Sequence, residues 1–341
     1  MISIQNKKKL LLDTYNLLDR KYLSKFVYLL FLLISVSILE IIGISLIPIL
    51  ISLLLDPKLI LEKLSFLSKY FDFYQLGNLD KKTLILYFSL FVVFFYVLKN
   101  IFLAFVVYMQ GNFYRTIKKN LSNKIFSNYL SADYSFFLYR NSSITIRTVL
   151  IDVGNTSLHI LNIINLLRES LILASIVILL LIVDYRIAIG LLFFFATFTY
   201  LFYSFTQGQL YERSKKLQTL QSSLLKTITE TIGSIKQIIL SNVGDSQLKE
   251  FKECIIQNER MIIKNYFVQL LPRFFLEVLI VSALILIVLI FVLLDREMVG
   301  LVPFLTLITI SALRLLPAFS NISGAISTIK TTLPSLKHLI K

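Results

Sequence analysis

Five ionisable side chains stand inside long apolar runs of this 341-residue chain: Glu40, Lys99, Arg273, Glu277 and Arg314. A charge at membrane depth costs roughly 2.5 kcal/mol or more in lipid, so such groups face a cavity or a partner. Three basic groups against two acidic ones suit an anionic ligand, and a guanidinium fork matches phosphate oxygens bidentately. Each of these residues also has a plainer role open to it. Arg273 and Glu277 sit at i and i+4 and can neutralise each other along one helix face. Lys99 can snorkel to the interface. Glu40 can serve as counter-ion to Arg314 or Lys99, or make a packing hydrogen bond. Arg314 follows a long uncharged run, with Pro317 loosening the helix one turn later, and is expected to face a cavity.

No other chemistry is legible. Paired carboxylates, a Ser/His/Asp set and metal-ligand spacing are all missing from the sequence pattern. The one cysteine, Cys254, cannot form an internal disulfide, and His159 and His338 are the only histidines. His159, near the start of the third apolar span, reads as interfacial packing. No catalytic residue and no metal is expected, and a membrane enzyme is the least supported reading.

The elements that would hold these charges follow from composition. With 56% hydrophobic residues and a mean hydropathy of +0.77, the chain cannot hide its apolar side chains in soluble cores and reads as an integral membrane protein. Residues 1–24 form a basic arm in which Leu11, Tyr15, Leu18 and Tyr22 recur at helical spacing, the pattern of an interfacial amphipathic helix. This arm is not a cleavable signal, since the apolar span that follows is too long. Six stretches reach the roughly 20 residues that a bilayer crossing needs: about 25–55, 84–109, 161–183, 187–206, 267–294 and 299–320.

The net charge of +15 then sets orientation. Lys and Arg number six from the N-terminus through Lys25, seven in residues 110–169 and nine in 207–266, but one in each of the tight turns 184–186 and 295–298. The loop 56–83 has five, offset by Asp56, Glu62, Asp72 and Asp80. The positive-inside rule places both termini and both long gaps in the cytoplasm.

Both long gaps carry helical stripes, Phe113, Ile117, Leu121, Ile125 and Tyr129 in the first and Leu224, Ile228, Ile232, Ile235 and Ile239 in the second. No proline falls between residues 58 and 271, which is compatible with very long unbroken helices because an interior proline costs about 3 kcal/mol. Membrane helices two to five are thus expected to extend into the cytoplasm as two hairpins, with short breaks near Ser131–Asn141 and Ser241–Asp245.

Six spans with two long helical hairpins resemble the transmembrane domain of an ABC exporter. Asp133-Tyr134-Ser135-Phe136-Phe137 with Arg140-Asn141-Ser142, Ile146-Arg147 and Asp152-Val153 looks like that family's first intracellular loop. Glu230 through Ile238, with Phe251 downstream, looks like the second. The resemblance implies transverse coupling helices over about Ala132–Leu138 and Leu240–Gln247, docking on an ATPase through Asp133, Tyr134, Phe136, Phe137, Asn242 and Asp245. Leu39 to Ser45, Leu271-Pro272-Arg273 with Glu277, and Arg314-Leu315-Leu316-Pro317 are similar to lipid-linked oligosaccharide flippases of the PglK type.

The expected architecture is therefore an all-α membrane protein. Residues 25–328 would form a six-helix exporter domain with two coupling helices, and 329–341 would begin a linker. The sequence contains no G-x-x-x-x-G-K-[ST], whose glycine-rich turn and lysine cradle phosphates. ATP and Mg are expected through a partner or missing nucleotide-binding domain. The implied function is flipping of a polyprenyl-pyrophosphate-linked glycan or similar anionic lipid, as a dimer with a second copy or a homologous membrane domain. The alternatives are a peptide or hydrophobic cargo, or a non-transporting membrane subunit. Ile-, Lys- and Asn-rich usage points to a bacterial inner membrane, and nucleic acid is not an expected partner.

Overall fold

The computed structural model describes residues 20–55, 81–138, 142–185, 189–190, 216–217, 219–293 and 301–340. Within them the chain is helical throughout, with no strand. Helix α1 is Arg20–Leu55 and α2 is Lys81–Leu130. The short α3 (Tyr134–Leu138) and α4 (Ser142–Arg147) follow, and a π-turn over Thr148–Asp152 leads into α5, Val153–Val183. Residues 219–233 form α6, Ile235–Ser241 form α7, Gly244–Leu293 form α8 and Leu301–Ile340 form α9.

Among the described residues, four helical stretches are long and apolar enough to cross a membrane: Tyr22–Leu55, Lys82–Leu130, Ile144–Val183 and Val302–Leu339. Their surfaces agree with that reading. Phe31 is 67% exposed and Leu90 is 68% exposed, and both stand in rows of outward apolar side chains. Such rows are unfavourable in water and neutral against lipid. The expected fourth span, 187–206, lies almost wholly outside the described residues. So do the N-terminal amphipathic turns before residue 20. The fifth, 267–294, falls in α8, where the fully described apolar run is Glu277–Leu286.

The 50 residues of α2 measure about 75 Å at 1.5 Å per residue, far more than the roughly 30 Å of a hydrocarbon core. Helix α8 has the same length. Apolar spans thus continue into amphipathic extensions without a break. On α2 the expected stripe is turned inward, with Phe113, Ile117 and Leu121 buried. On α6 and α7 the stripe is helical but faces outward, Ile232 and Ile239 being largely exposed.

The core is shared by α1, α2, α5 and α9. Leu33 and Ile44 of α1, Val106 and Phe113 of α2, Ile164, Ile172 and Ile176 of α5 and Leu307 of α9 meet in one cluster. Helix α9 packs most extensively on α5. Ser311, Ala312, Ala318, Ala325, Ser327 and Ser335 are small side chains buried along α9, and small residues let membrane helices approach closely. Residues 329–340, expected as the start of a linker, are the last three turns of α9 and bury Leu333 and Leu336.

The two expected breaks differ in position and construction. The first falls at Ser131–Asp133, where Asp133 offers its carbonyl to the Phe136 amide at 2.9 Å and starts α3. The second is two residues wide, Asn242 and Val243. Asn242 takes a left-handed conformation (φ 51°, ψ 36°), and the Val243 amide reaches the Ile238 carbonyl at 3.3 Å. This is a Schellman-like stop, after which Gly244 begins α8. The second short helix is therefore Ile235–Ser241, and Leu240–Gln247 straddles the stop.

Candidate functional site

Helix α1 carries Glu40 at a point where α2 and α9 both close on it. Its carboxylate is 6% exposed. One oxygen, Oε2, lies 3.4 Å from Lys99 Nζ of α2, and the other, Oε1, lies 2.7 Å from Arg314 Nε of α9. One acid thus bridges two bases from two other helices. The expectation that Glu40 is a counter-ion holds for both partners at once. Lys99 is buried, at 9% exposure, and its ammonium lies 4.5 Å from the centroid of the Tyr96 ring, a cation–π contact.

Local sequence makes room for this arrangement. Gly43 lies one turn beyond Glu40, and a Cβ there would stand 3.2 Å from Lys99 Nζ. The Tyr96 hydroxyl donates to the Gly43 carbonyl at 2.9 Å, which fixes the ring under the ammonium. Arg314 is the open member of the triad, with its side chain 28% exposed. An apolar groove of about 680 Å³ runs along the adjoining flank of α2, bounded by Ile47, Val92, Tyr96, Val97, Asn100 and Ile101.

No protein-family model matches this chain.

A second polar cluster, unforeseen from the sequence, lies further along the same helices. Arg168 and Glu169 of α5 pair at 2.8 Å. Arg168 Nη1 donates to Gln110 Oε1 of α2 at 3.0 Å, and Asn321 Nδ2 of α9 donates to Glu169 Oε1 at 3.0 Å. Glu169 and Gln110 are both buried. The signal was in the sequence, since apolar runs flank Arg168-Glu169 on both sides.

A third cluster gathers at the far end of α9. Asp152, the last residue of the π-turn, is 1% exposed. It lies 3.6 Å from Arg147 Nη2 and 3.1 Å from His338 Nδ1. Arg147 Nη1 also donates to Ser222 Oγ of α6 at 2.9 Å. Between this cluster and the membrane, Asn155 Nδ2 donates to Ser335 Oγ at 3.1 Å, and His159 Nδ1 meets Thr332 Oγ1 at 3.0 Å. His159 is thus a buried bond between α5 and α9.

Read along α9, Arg314, Asn321, Thr332, Ser335 and His338 form one polar seam. Their partners are Glu40, Glu169, His159, Asn155 and Asp152 in that order. Buried polar groups without partners are costly, so the seam sets both the rotation and the axial position of α9 against α1 and α5.

Glu277 is exposed on α8, and the side chain of Arg273 lies outside the described residues. Of the coupling residues, Tyr134 is 77% exposed, and Phe137 packs edge-on against Phe136 at 5.3 Å between centroids. Asn242 and Asp245 are exposed at the left-handed break. No group of three or more His, Cys, Asp or Glu suited to a metal occurs among the described residues.

Proposed function

We propose that this chain is the membrane-spanning part of an exporter of the ABC type. It would move a polyprenyl-pyrophosphate-linked glycan or a similar anionic lipid across a bacterial inner membrane. The observation that carries the reading is the convergence of Lys99 and Arg314 on one point far from the ends of apolar helices. Retaining two cations and one acid there leaves one positive charge over, and Arg314, partly open, is the group that would meet a phosphate. The adjoining apolar groove has the character of a lipid-tail path.

The coupling side of the proposal rests on the helix extensions. Long α2 and α8 end at short interrupted segments bearing exposed aromatic and apolar side chains, Tyr134 and Phe137 at one and Leu240 and Val243 at the other. Such patches suit docking to a partner. In this reading the partner is an ATPase domain that brings ATP and Mg. A second copy or a homologous membrane domain completes the pathway, the six spans are retained, and both termini are cytoplasmic.

One observation favours a second cargo class. Glu40 already neutralises much of the basic charge, as a site for a peptide or an uncharged hydrophobic compound would require. ATP-dependent flipping of a fluorescent polyprenyl-pyrophosphate-linked sugar in proteoliposomes, with the ATPase present, separates the two. Arg314→Ala abolishes flipping and leaves assembly intact if the cargo is anionic. Unchanged flipping removes the charged site from the mechanism.

A further inference from the structure

We propose that Glu40 occupies Arg314 in place of an external anion, so that ligand binding is an exchange. The anionic group takes the guanidinium, and Glu40 turns wholly to Lys99. This rests on the anionic-ligand reading above and adds to it a residue that sets affinity and a change that accompanies binding.

Three features of the geometry carry the inference. The carboxylate divides its oxygens, one on each base, so losing Arg314 still leaves Glu40 paired. Lys99 is the better-fixed partner, held over Tyr96 and packed where Gly43 lacks a side chain. Arg314 is the looser one, at 28% exposure against 9% for Lys99, and its Nε makes no aligned hydrogen bond to the carboxylate despite the 2.7 Å separation. A phosphate or pyrophosphate group offers the guanidinium two parallel hydrogen bonds, which this contact does not supply. The helices respond differently to the exchange. Helices α1 and α2 stay joined through Glu40–Lys99, whereas α9 loses its bond to α1 and keeps Asn321–Glu169 as its next anchor. Ligand entry thereby frees one end of the polar seam.

The exchange makes the binding-competent state a fraction of the population, and apparent affinity falls by that fraction. The test is equilibrium binding of two probes, geranyl pyrophosphate and inorganic pyrophosphate, to the purified chain in lipid nanodiscs. Glu40→Gln is expected to bind about tenfold tighter than wild type, the gain of removing a competitor that holds some nine-tenths of the sites. Arg314→Gln is expected to bind neither probe. Should Glu40→Gln not yield folded protein, the charge-balanced Glu40→Gln/Lys99→Met pair replaces it with the same expectation. Tightening confined to geranyl pyrophosphate supports the exchange and assigns the anion to a lipid headgroup. Tightening with both probes supports it and admits a free phosphate compound. Wild-type binding that Glu40→Gln or its double variant leaves equal or weaker overturns the exchange and spares the anionic reading. No binding to wild type or any variant overturns both.

Discussion

Two carboxylates in this protein hold the same formal position and do different work. Glu40 and Asp152 are each almost fully buried, and each stands between two bases from other segments. Of the bases around Glu40, Lys99 is buried at 9% exposure and Arg314 is partly open at 28%. The bases around Asp152 are Arg147 and His338, at 23% and 34% exposure, and both have solvent within reach. A buried acid is thus expected to be costlier to delete where one of its cations is buried with it, as Lys99 is with Glu40. The lesson is that the partners' exposure, more than the acid's own, sets the cost of deleting it.

That ranking can be broken experimentally. The single Cys254, half-buried on α8, gives a thiol-reactive dye a natural readout of unfolding. Glu40→Ala is expected to have the largest effect, about 3–5 kcal/mol, because removing one partner strands uncompensated buried charge. Asp152→Ala is expected to cost less, about 1–3 kcal/mol, the range for leaving a polar partner unsatisfied, since Arg147 keeps Ser222 and can turn outward. A larger loss from Asp152→Ala than from Glu40→Ala would reverse the comparison. His338→Gln comes last, at under about 1 kcal/mol, as expected of a half-exposed pair.

The combination sharpens the comparison further. The two centres share no partner, and distant sites add to within about 0.5 kcal/mol. Glu40→Ala with Asp152→Ala should therefore equal the sum of the two single variants in the same assay. A deficit beyond that would show the seam on α9 acting as one unit from Arg314 to His338.

How much of this was legible in the sequence depended on whether a signal was local. Apolar runs and the absence of proline between 58 and 271 gave the long helices, and the Ser241-Asn242-Val243-Gly244 string gave the second break. Glu40 stood out because nothing charged is near it in sequence. Arg168 and Glu169 were overlooked because adjacent opposite charges at the edge of a basic gap look like solvated surface. Asp152 and His338 were unreadable as a pair, since only the packing of α9 on α5 brings them together. The stripe from Leu224 to Ile239 shows a further limit. Periodicity identified the helices, but it cannot say that the stripe faces outward while the matching stripe on α2 is covered.

The central claim, that the Glu40 centre receives a ligand and the Asp152 centre does not, is tested most directly by ligand-induced stabilisation. Cys254 reactivity would be followed on heating in wild type, Arg314→Ala and Asp152→Ala, with and without geranyl pyrophosphate. A ligand at 100 times its Kd raises stability by about 2.7 kcal/mol. The account predicts that upward shift in wild type and in Asp152→Ala and its loss in Arg314→Ala. An equal shift in Arg314→Ala, or its loss in Asp152→Ala alone, would contradict it.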